Sequence, residues 1–228
     1  MVKFRFQRVA NDDVRRMEQL YRLRYQVYCI ECGFESPEDH PRGLEYDKYD
    51  AHASHFCAMV AGSDEIIGTV RIILPSDIGF PLLHHCQLYP VQRTIEPGCV
   101  GEISRLAISK DFRRREIDKV LYSQHPAKIP KMKTINDQRH QFESQIVAGL
   151  YQCVYHESRA QGLKYWYAVM VKGLSFLLGR WGITWREIGP EAEYHGLRAP
   201  YLADIAEIEK RVLLKKSHLL DKPPGWID

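Results

Sequence analysis

The sequence predicts an α/β fold in which helices cover a central, mostly antiparallel sheet. Near the N-terminus Val2, Phe4 and Phe6 alternate with Lys3, Arg5 and Gln7, the period of a half-buried strand. Val14, Met17, Leu20, Tyr21, Val27 and Tyr28 then recur at helical spacing. Along the whole chain the expected order is strand, helix, three strands, helix, strand, helix, strand, strand, which suits a sheet layered with helices. The 228 residues are 45% hydrophobic, enough to bury one full core, so residues 1–228 are read as a single domain.

Each element has a local cause. Asn11-Asp12-Asp13 offers capping oxygens to a helix that runs from Val14 to a stop at Gly33. Arg24 falls on or near its apolar face, where an arginine ordinarily snorkels to the rim. Residues 35–50 carry Pro37, Pro41 and Gly43 and read as a loop ending in the acidic run Glu45-Tyr46-Asp47-Lys48-Tyr49-Asp50. Strands at 55–61 and 66–74 are joined through Gly62-Ser63-Asp64-Glu65 as a hairpin. Arg71 interrupts the second, and a charge there needs an acid or solvent.

Four prolines make residues 75–99 irregular, with a short helix near 82–88. A strand over 100–109 follows. On a regular strand Glu102 and Ser104 share one face and Ile103, Arg105 and Ala107 the other. The carboxylate and the guanidinium therefore start on opposite faces unless a bulge turns both inward.

Residues 113–139 are basic and without periodicity, and read as an insertion. A helix over 141–160 precedes a nearly continuous apolar strand at 164–171, hence a central one. A short helix at 174–181 ends at Gly182. Strands at 185–188 and 202–205 form a final antiparallel pair, and an amphipathic helix covers 206–220.

Composition narrows the function classes. No apolar run approaches the roughly 18 residues of a membrane span, although peripheral contact stays open. The basic, alternating N-terminus lacks a signal-peptide core, so a cytoplasmic protein is expected. Six cysteines are too sparse for a disulfide scaffold. Cys29-Ile30-Glu31-Cys32 has zinc-ligand spacing and His84-His85-Cys86 could add ligands, but the pair lies in a helical pattern with no second CxxC, so no metal site is expected. The basic 110–139 stretch includes Phe112, Tyr122 and His125 but no recognisable nucleic-acid-binding motif, so no nucleic-acid partner is expected.

Four segments, in order, resemble the acyl-homoserine-lactone (autoinducer) synthases. Arg24, Tyr28 and Phe34 are similar to that family's Arg, Phe and Trp signature, and Glu45-Tyr46-Asp47-Lys48-Tyr49-Asp50 to its Glu-x-Asp-x-x-Asp. Arg71 matches a Gly-x-x-Arg strand, and Glu102-Ile103-Ser104-Arg105 a Glu-x-Ser-Arg. A second resemblance covers nearly the whole chain. Segments 22–28, 46–52, 102–107, 166–170 and 193–198 look like the acyltransferases associated with the PEP-CTERM/exosortase system, which are grouped with autoinducer synthases and N-acyl amino acid synthases.

These resemblances imply a GNAT-like fold with a V-shaped split between the fourth and fifth strands. They imply transfer of a fatty acyl group, long-chain in this reading, from a thioester to an amine, that of an amino acid being the leading acceptor. Glu102 is the first candidate base and His195 the second. Arg24, Arg71 and Arg105 are expected to face Asp47, Asp50 and Glu102 in one cleft, with Tyr28, Phe34 and Trp166 among the substrate-binding residues. Main-chain groups near Leu106 to Ile108 would hold the phosphopantetheine arm and polarise the carbonyl.

Arg113-Arg114-Arg115-Glu116-Ile117-Asp118 lacks the glycines with which coenzyme A users admit a pyrophosphate. The basic run would suit the acidic surface of acyl carrier protein, the favoured donor and partner over coenzyme A. No permanently bound cofactor is expected. The competing readings are an acyl-homoserine-lactone synthase using S-adenosylmethionine, a coenzyme A-dependent N-acyltransferase, and an acyl-sensing or nucleic-acid-binding module.

Overall fold

The computed structural model describes residues 4–90, 95–112, 135–194 and 196–227, with only the backbone of Pro97 and of 135–140. The described elements in chain order are β1 (Phe4–Val9), α1 (Val14–Tyr25), β2 (Ala53–Val60), β3 (Ile66–Ile73), α2 (Pro81–His85), β4 (Val100–Ile108) and α3 (Ile135–Ala160). Next come β5 (Tyr165–Met170), α4 (Lys172–Arg180), β6 (Arg186–Glu187), β7 (Ala192–Glu193), β8 (Leu197–Asp204), α5 (Ile205–Lys216) and β9 (Trp226–Ile227). The strands form one sheet in the order β6-β8-β5-β4-β3-β2-β1-β9, with β7 added on β8. Among the described residues only β4–β5 and β1–β9 pair in parallel, so the sheet is mixed and mostly antiparallel.

Strand alternation sorts the core into two layers. Phe56 and Ala58 of β2 pack with Ile146 and Leu150 of α3, while Cys57 and Met59 pack with Met17 and Leu20 of α1. Helix α3 thus covers one face, joined by α5 through Ile208 and Val212, and α1 covers the other. Asp13 starts α1 by accepting the Arg16 N–H at 3.1 Å. Gly149 is where α3 comes down on β1, and a Cβ there would land on the Phe6 ring. Gly149→Ala is expected to cost ~1–3 kcal/mol through overpacking, read from the denaturation midpoint.

Several boundaries differ from the sequence expectation. Residues 135–139, assigned to the insertion, are the first turn of α3, and residues 113–134 lie outside the described residues. Strand β8 begins at Leu197 rather than 202, and it pairs with β5 from Ala199 to Asp204 as well as with β6. Pro200 and Gly196 disguise it, because proline removes a ladder donor and lowers any strand reading. The C-terminal helix starts at Ile205 and ends at Lys216, and a 3-10 turn covers Ser217–Leu220. Strand β9 has two residues, too few for an alternation to be legible.

The split that positions the site lies between β4 and β5. Val100, Gly101 and Glu102 pair with Tyr165, Trp166 and Tyr167, and there the ladder stops. From Ile103 onward β4 has no β5 partner, so the sheet opens at its middle.

Candidate active site

A bulge in β4 decides which side chains meet. Thr69 of β3 pairs with Ala107 and Arg71 with Ser104, so Val70 faces two residues, Arg105 and Leu106. Arg105 takes φ 54°, the one positive φ outside glycine among the described residues. A residue with a Cβ is held in that region at a cost of ~1–3 kcal/mol, which its surroundings must offset. After the bulge the alternation is reversed. Ile103, Leu106 and Ile108 pack toward α3, while Ala107 packs against Val27 and Tyr28 on the α1 side. Arg105 and Ala107 thus leave the face of Ile103, where regular alternation put them, and Arg105 joins Glu102 and Ser104 on the α1 side.

Arg105 is held there by three acids. Its Nε donates to Glu45 at 3.0 Å and its Nη2 to Glu35 at 3.1 Å and Asp47 at 3.3 Å. Arg71 donates from both Nη atoms to Asp47 at 2.7 Å, from Nη1 to Asp50 at 2.7 Å and from Nε to Ser104 at 2.9 Å. Arg24 clamps Asp50 in a fork at 2.7 and 3.2 Å and donates its Nε to Glu45. Arg24 is fully buried instead of snorkelling, because Glu45 and Asp50 are buried with it and satisfy its donors.

The three cations and Asp47 and Asp50 come together as expected, but Glu45 holds the place assigned to Glu102. Burial alone would raise the pKa of Glu45, yet Arg24 and Arg105 bring it down to about 2. Asp50 is likewise held far below the carboxylate range, with burial opposing and Arg24 and Arg71 prevailing. His55, bonded to the Asp50 carbonyl at 3.0 Å, is lowered by burial to about 4 and is neutral.

Glu102 stands apart. Its one close polar contact among the described residues is the Leu82 N–H at the start of α2, 3.0 Å from Oε2. Burial raises its pKa to about 7, with the Leu82 N–H, Arg71 and Arg105 limiting the rise. A carboxyl that exchanges its proton near neutrality, in a cleft, has the properties of a general base.

That cleft spans the sheet. On the α1 side its mouth is polar, lined by Glu35, Arg71, Glu102, Arg105, Tyr194 and Arg198. The gap between β4 and β5 continues it along Leu106, Tyr151, Ala168, Met170, Val171 and Leu174, a mainly apolar wall. Tyr28, Ile103, Ser104, Arg105, Val169 and Arg198 border both parts. One opening thus joins a charged face to an apolar one.

Tyr28 is set by a π-helical turn, Gln26–Glu31, that extends α1. Its hydroxyl donates to the Leu106 carbonyl at 2.8 Å, tying that turn to the bulge. Buried, with its pKa pushed up to about 12, it keeps its proton and remains a donor. Tyr28→Phe is expected to cost ~1–3 kcal/mol by leaving the bulge carbonyl unsatisfied. Amide exchange at 105–107 would accelerate in the same variant.

Phe34 is not among the residues that line the cleft but packs behind two that do, its ring beside Tyr28 and its centroid 4.8 Å from the Arg198 guanidinium. Two residues expected in the site are elsewhere. Trp166 is buried in the α3-side core and donates its indole N–H to Ser158 at 2.8 Å, because its position on β5 faces α3. Ile108 is in the same core, leaving Leu106 as the cleft residue of that pair. Arg24 and Asp50 lie behind the cleft and brace its walls. His195 and Arg113 to Arg115 lie outside the described residues.

Glu35, Tyr194 and Arg198 line the polar mouth without having been singled out as site residues. Tyr194 and Arg198 fall within a segment that carried the family resemblance, which was the available signal. Glu45, the first acid of its motif, was open to the same inference. Glu35 carries no local signal. Among the described residues no group of three or more His, Cys, Asp or Glu could hold a metal ion.

The family model of the acetyltransferase (GNAT) domain matches residues 23–123, the part that carries β2 to β4 and the charged network. No curated protein matches the sequence. Among solved structures, the AHL synthase LasI superposes with a TM-score of 0.61 at 15% identity, over 94% of this chain and 96% of that one. The CoA-dependent acyl-homoserine lactone synthase BjaI, with SAM and isopentyl-CoA, superposes at 0.63 and 15% identity, over 99% and 93%. FeeM, an N-acyl amino acid synthase from uncultured soil microbes, superposes at 0.54 and 13% identity, over 95% and 98%. The chain has the GNAT-like α/β fold, a mixed sheet flanked by helices.

Proposed function

We propose that this GNAT-fold chain is an N-acyltransferase that moves a long fatty acyl group from a phosphopantetheine thioester to the amine of an amino acid or related small molecule. The observation that carries this reading is Glu102, a carboxyl with a pKa of about 7 at the charged mouth of a gap whose other wall is apolar. The thioester arm enters between β4 and β5, where β4 past Glu102 has no β5 partner and its edge on that side can bond the arm's amides.

The amine arrives at the polar mouth. Glu102, directly or through a water, takes its proton as the nitrogen attacks the thioester carbonyl. A β4 main-chain N–H stabilises the oxyanion, the C–S bond breaks, and the proton that Glu102 took from the nitrogen passes to the departing thiolate, which leaves as thiol while the amide remains. Arg105 and Arg71 set the potential of the mouth, and His195 stays the second candidate base.

The favoured donor is acyl carrier protein, on the basic and glycine-free sequence after β4. Acyl-coenzyme A is the alternative, and either donor places the reaction in the cytoplasm. The assignment to exosortase-associated acyltransferases rests on the segment resemblance. A lactone synthase is the second reading. Against it, Arg198 lies over the Phe34 ring, the aromatic face on which a sulfonium cation would otherwise stack.

The test is purified protein with palmitoyl thioesters of acyl carrier protein and of coenzyme A, offered an amino acid mixture and S-adenosylmethionine in parallel. An N-acyl amino acid mass formed faster from the carrier protein supports the reading. An acyl-homoserine lactone moves it to the second reading. DNA binding with no thioester turnover would overturn it.

A further inference from the structure

Among the described residues, three of the nine exposed large hydrophobic side chains lie on α4 and α5. Phe176 of α4 is 73% exposed, and Leu213 and Leu214 of α5 are 60% and 88% exposed. The C-terminal ends of these two helices meet. Lys215 Nζ donates to the Gly179 carbonyl at 3.2 Å, Lys216 lies over the Trp181 ring, and Gly182 abuts the backbone of Arg211 and Val212. Phe176 is one turn before Gly179, and Leu213 and Leu214 directly precede Lys215, so all three lie within about one helical turn of this junction, Leu214 on the side of α5 opposite the buried Val212.

Basic side chains predominate around them, although Glu207 and Glu209 lie earlier on α5 and Asp221 follows Leu220. Residues 172–182 and 210–220 contain Lys172, Arg180, Lys210, Arg211, Lys215 and Lys216 and no acid. Lys172 is paired with Glu187 and Glu191, and Arg211 with Glu207. Arg180, Lys210, Lys215 and Lys216 form no ion pair among the described residues.

We propose that this α4–α5 end is a docking surface for an anionic lipid bilayer, with Phe176, Leu213 and Leu214 entering the headgroup region and the surrounding lysines and arginine engaging lipid phosphates. Convex helix faces that present large apolar side chains among cations match a bilayer, which adapts to them. A folded protein partner would have to offer a complementary pocket for each side chain. Leu174 of α4, with Val171 just before the helix, also lines the cleft. Docking there would keep the acyl passage beside the membrane that takes up an amphiphilic product. The surface itself does not depend on the catalytic reading.

The experiment is co-sedimentation of the full chain with vesicles of phosphatidylcholine alone or with about one-third phosphatidylglycerol, at low and physiological salt. Binding is expected to the anionic vesicles only, to weaken with salt, and to fall at least tenfold in the Phe176→Ser, Leu214→Ser double variant. These exposed substitutions leave the fold intact, checked by an unchanged denaturation midpoint. Absence of binding at about 50 mM salt would overturn the proposal. So would binding that the double variant retains, which would place the lipid contact elsewhere. Two further outcomes count against it: a wild-type dimer converted to monomer by the double variant without vesicle binding, and a raised KM for acyl carrier protein with vesicle binding unchanged.

Discussion

Glu102→Gln is expected to lower kcat by about 10²–10⁴-fold, the range over which a positioned base contributes. Gln keeps an oxygen for the Leu82 N–H, so α2 should stay in place and substrate KM should change little. The wild-type pH profile gives an independent check. Because burial raises Glu102 to about 7, kcat/KM should rise with pH through an acid limb near neutrality instead of near the ordinary carboxylate value of 4.5. A variant with full activity, or a limb that Glu102→Gln leaves in place, would remove Glu102 as the base and direct attention to His195.

The same substitution has an opposite effect on stability. Between about pH 4.5 and 7 the folded chain retains a proton on Glu102 that the unfolded chain has lost. The folded state therefore binds more protons, and Glu102 makes stability fall as pH rises through that window. A permanently neutral Gln escapes this cost. At pH 8 Glu102→Gln should be more stable than wild type by on the order of 2 kcal/mol, and at pH 4 the difference should vanish. Less activity with more stability would mark a residue retained for chemistry.

Arg24→Met should produce the largest loss of stability, ~3–5 kcal/mol, seen as a lowered denaturation midpoint with an unchanged slope. The methionine fills much of the space but leaves Glu45 and Asp50 buried without their shared fork. Glu45 then also holds Arg105 less firmly, so the bulge at φ 54° loses part of what fixes it. Activity should fall although Arg24 lies behind the cleft, and osmolyte that restores folding should restore part of it.

Acid sensitivity follows from the same network. Glu45 is lowered to about 2, so its stabilisation is present above its ordinary 4.5 and is lost as pH falls toward 2. His55 acts in the same direction at a higher pH. Its folded value of about 4 means that the unfolded chain takes up protons first below 6.5, and stability falls from there.

Much of this protein was legible in its residues alone. Strand and helix order follows from side-chain periodicity, which is local and needs no partner. The charged network was legible for a different reason: buried charges require complementary charges, so Arg24, Arg71 and Arg105 imply acids, and the Glu45 to Asp50 run supplies them. What could not be read was which acid goes where. Glu45 opens an acidic run and Glu102 lies in an apolar strand, and only the fold places one between two guanidiniums and the other against a lone backbone N–H.

The bulge belongs to the same category. Nothing in Ser104-Arg105-Leu106 requires a left-handed residue, and alternation alone puts Glu102 and Arg105 on opposite faces. The extra β4 residue opposite Val70, the Tyr28 hydroxyl on the Leu106 carbonyl, and three acids from a distant loop together hold Arg105 where it is. Residue types and their order thus determined, by themselves, the layers of the fold and the need of Arg24, Arg71 and Arg105 for buried acids, Asp47 and Asp50 among them. Tertiary structure decided the pairing, the face and the proton affinity, because these depend on distance and desolvation among groups far apart in the chain.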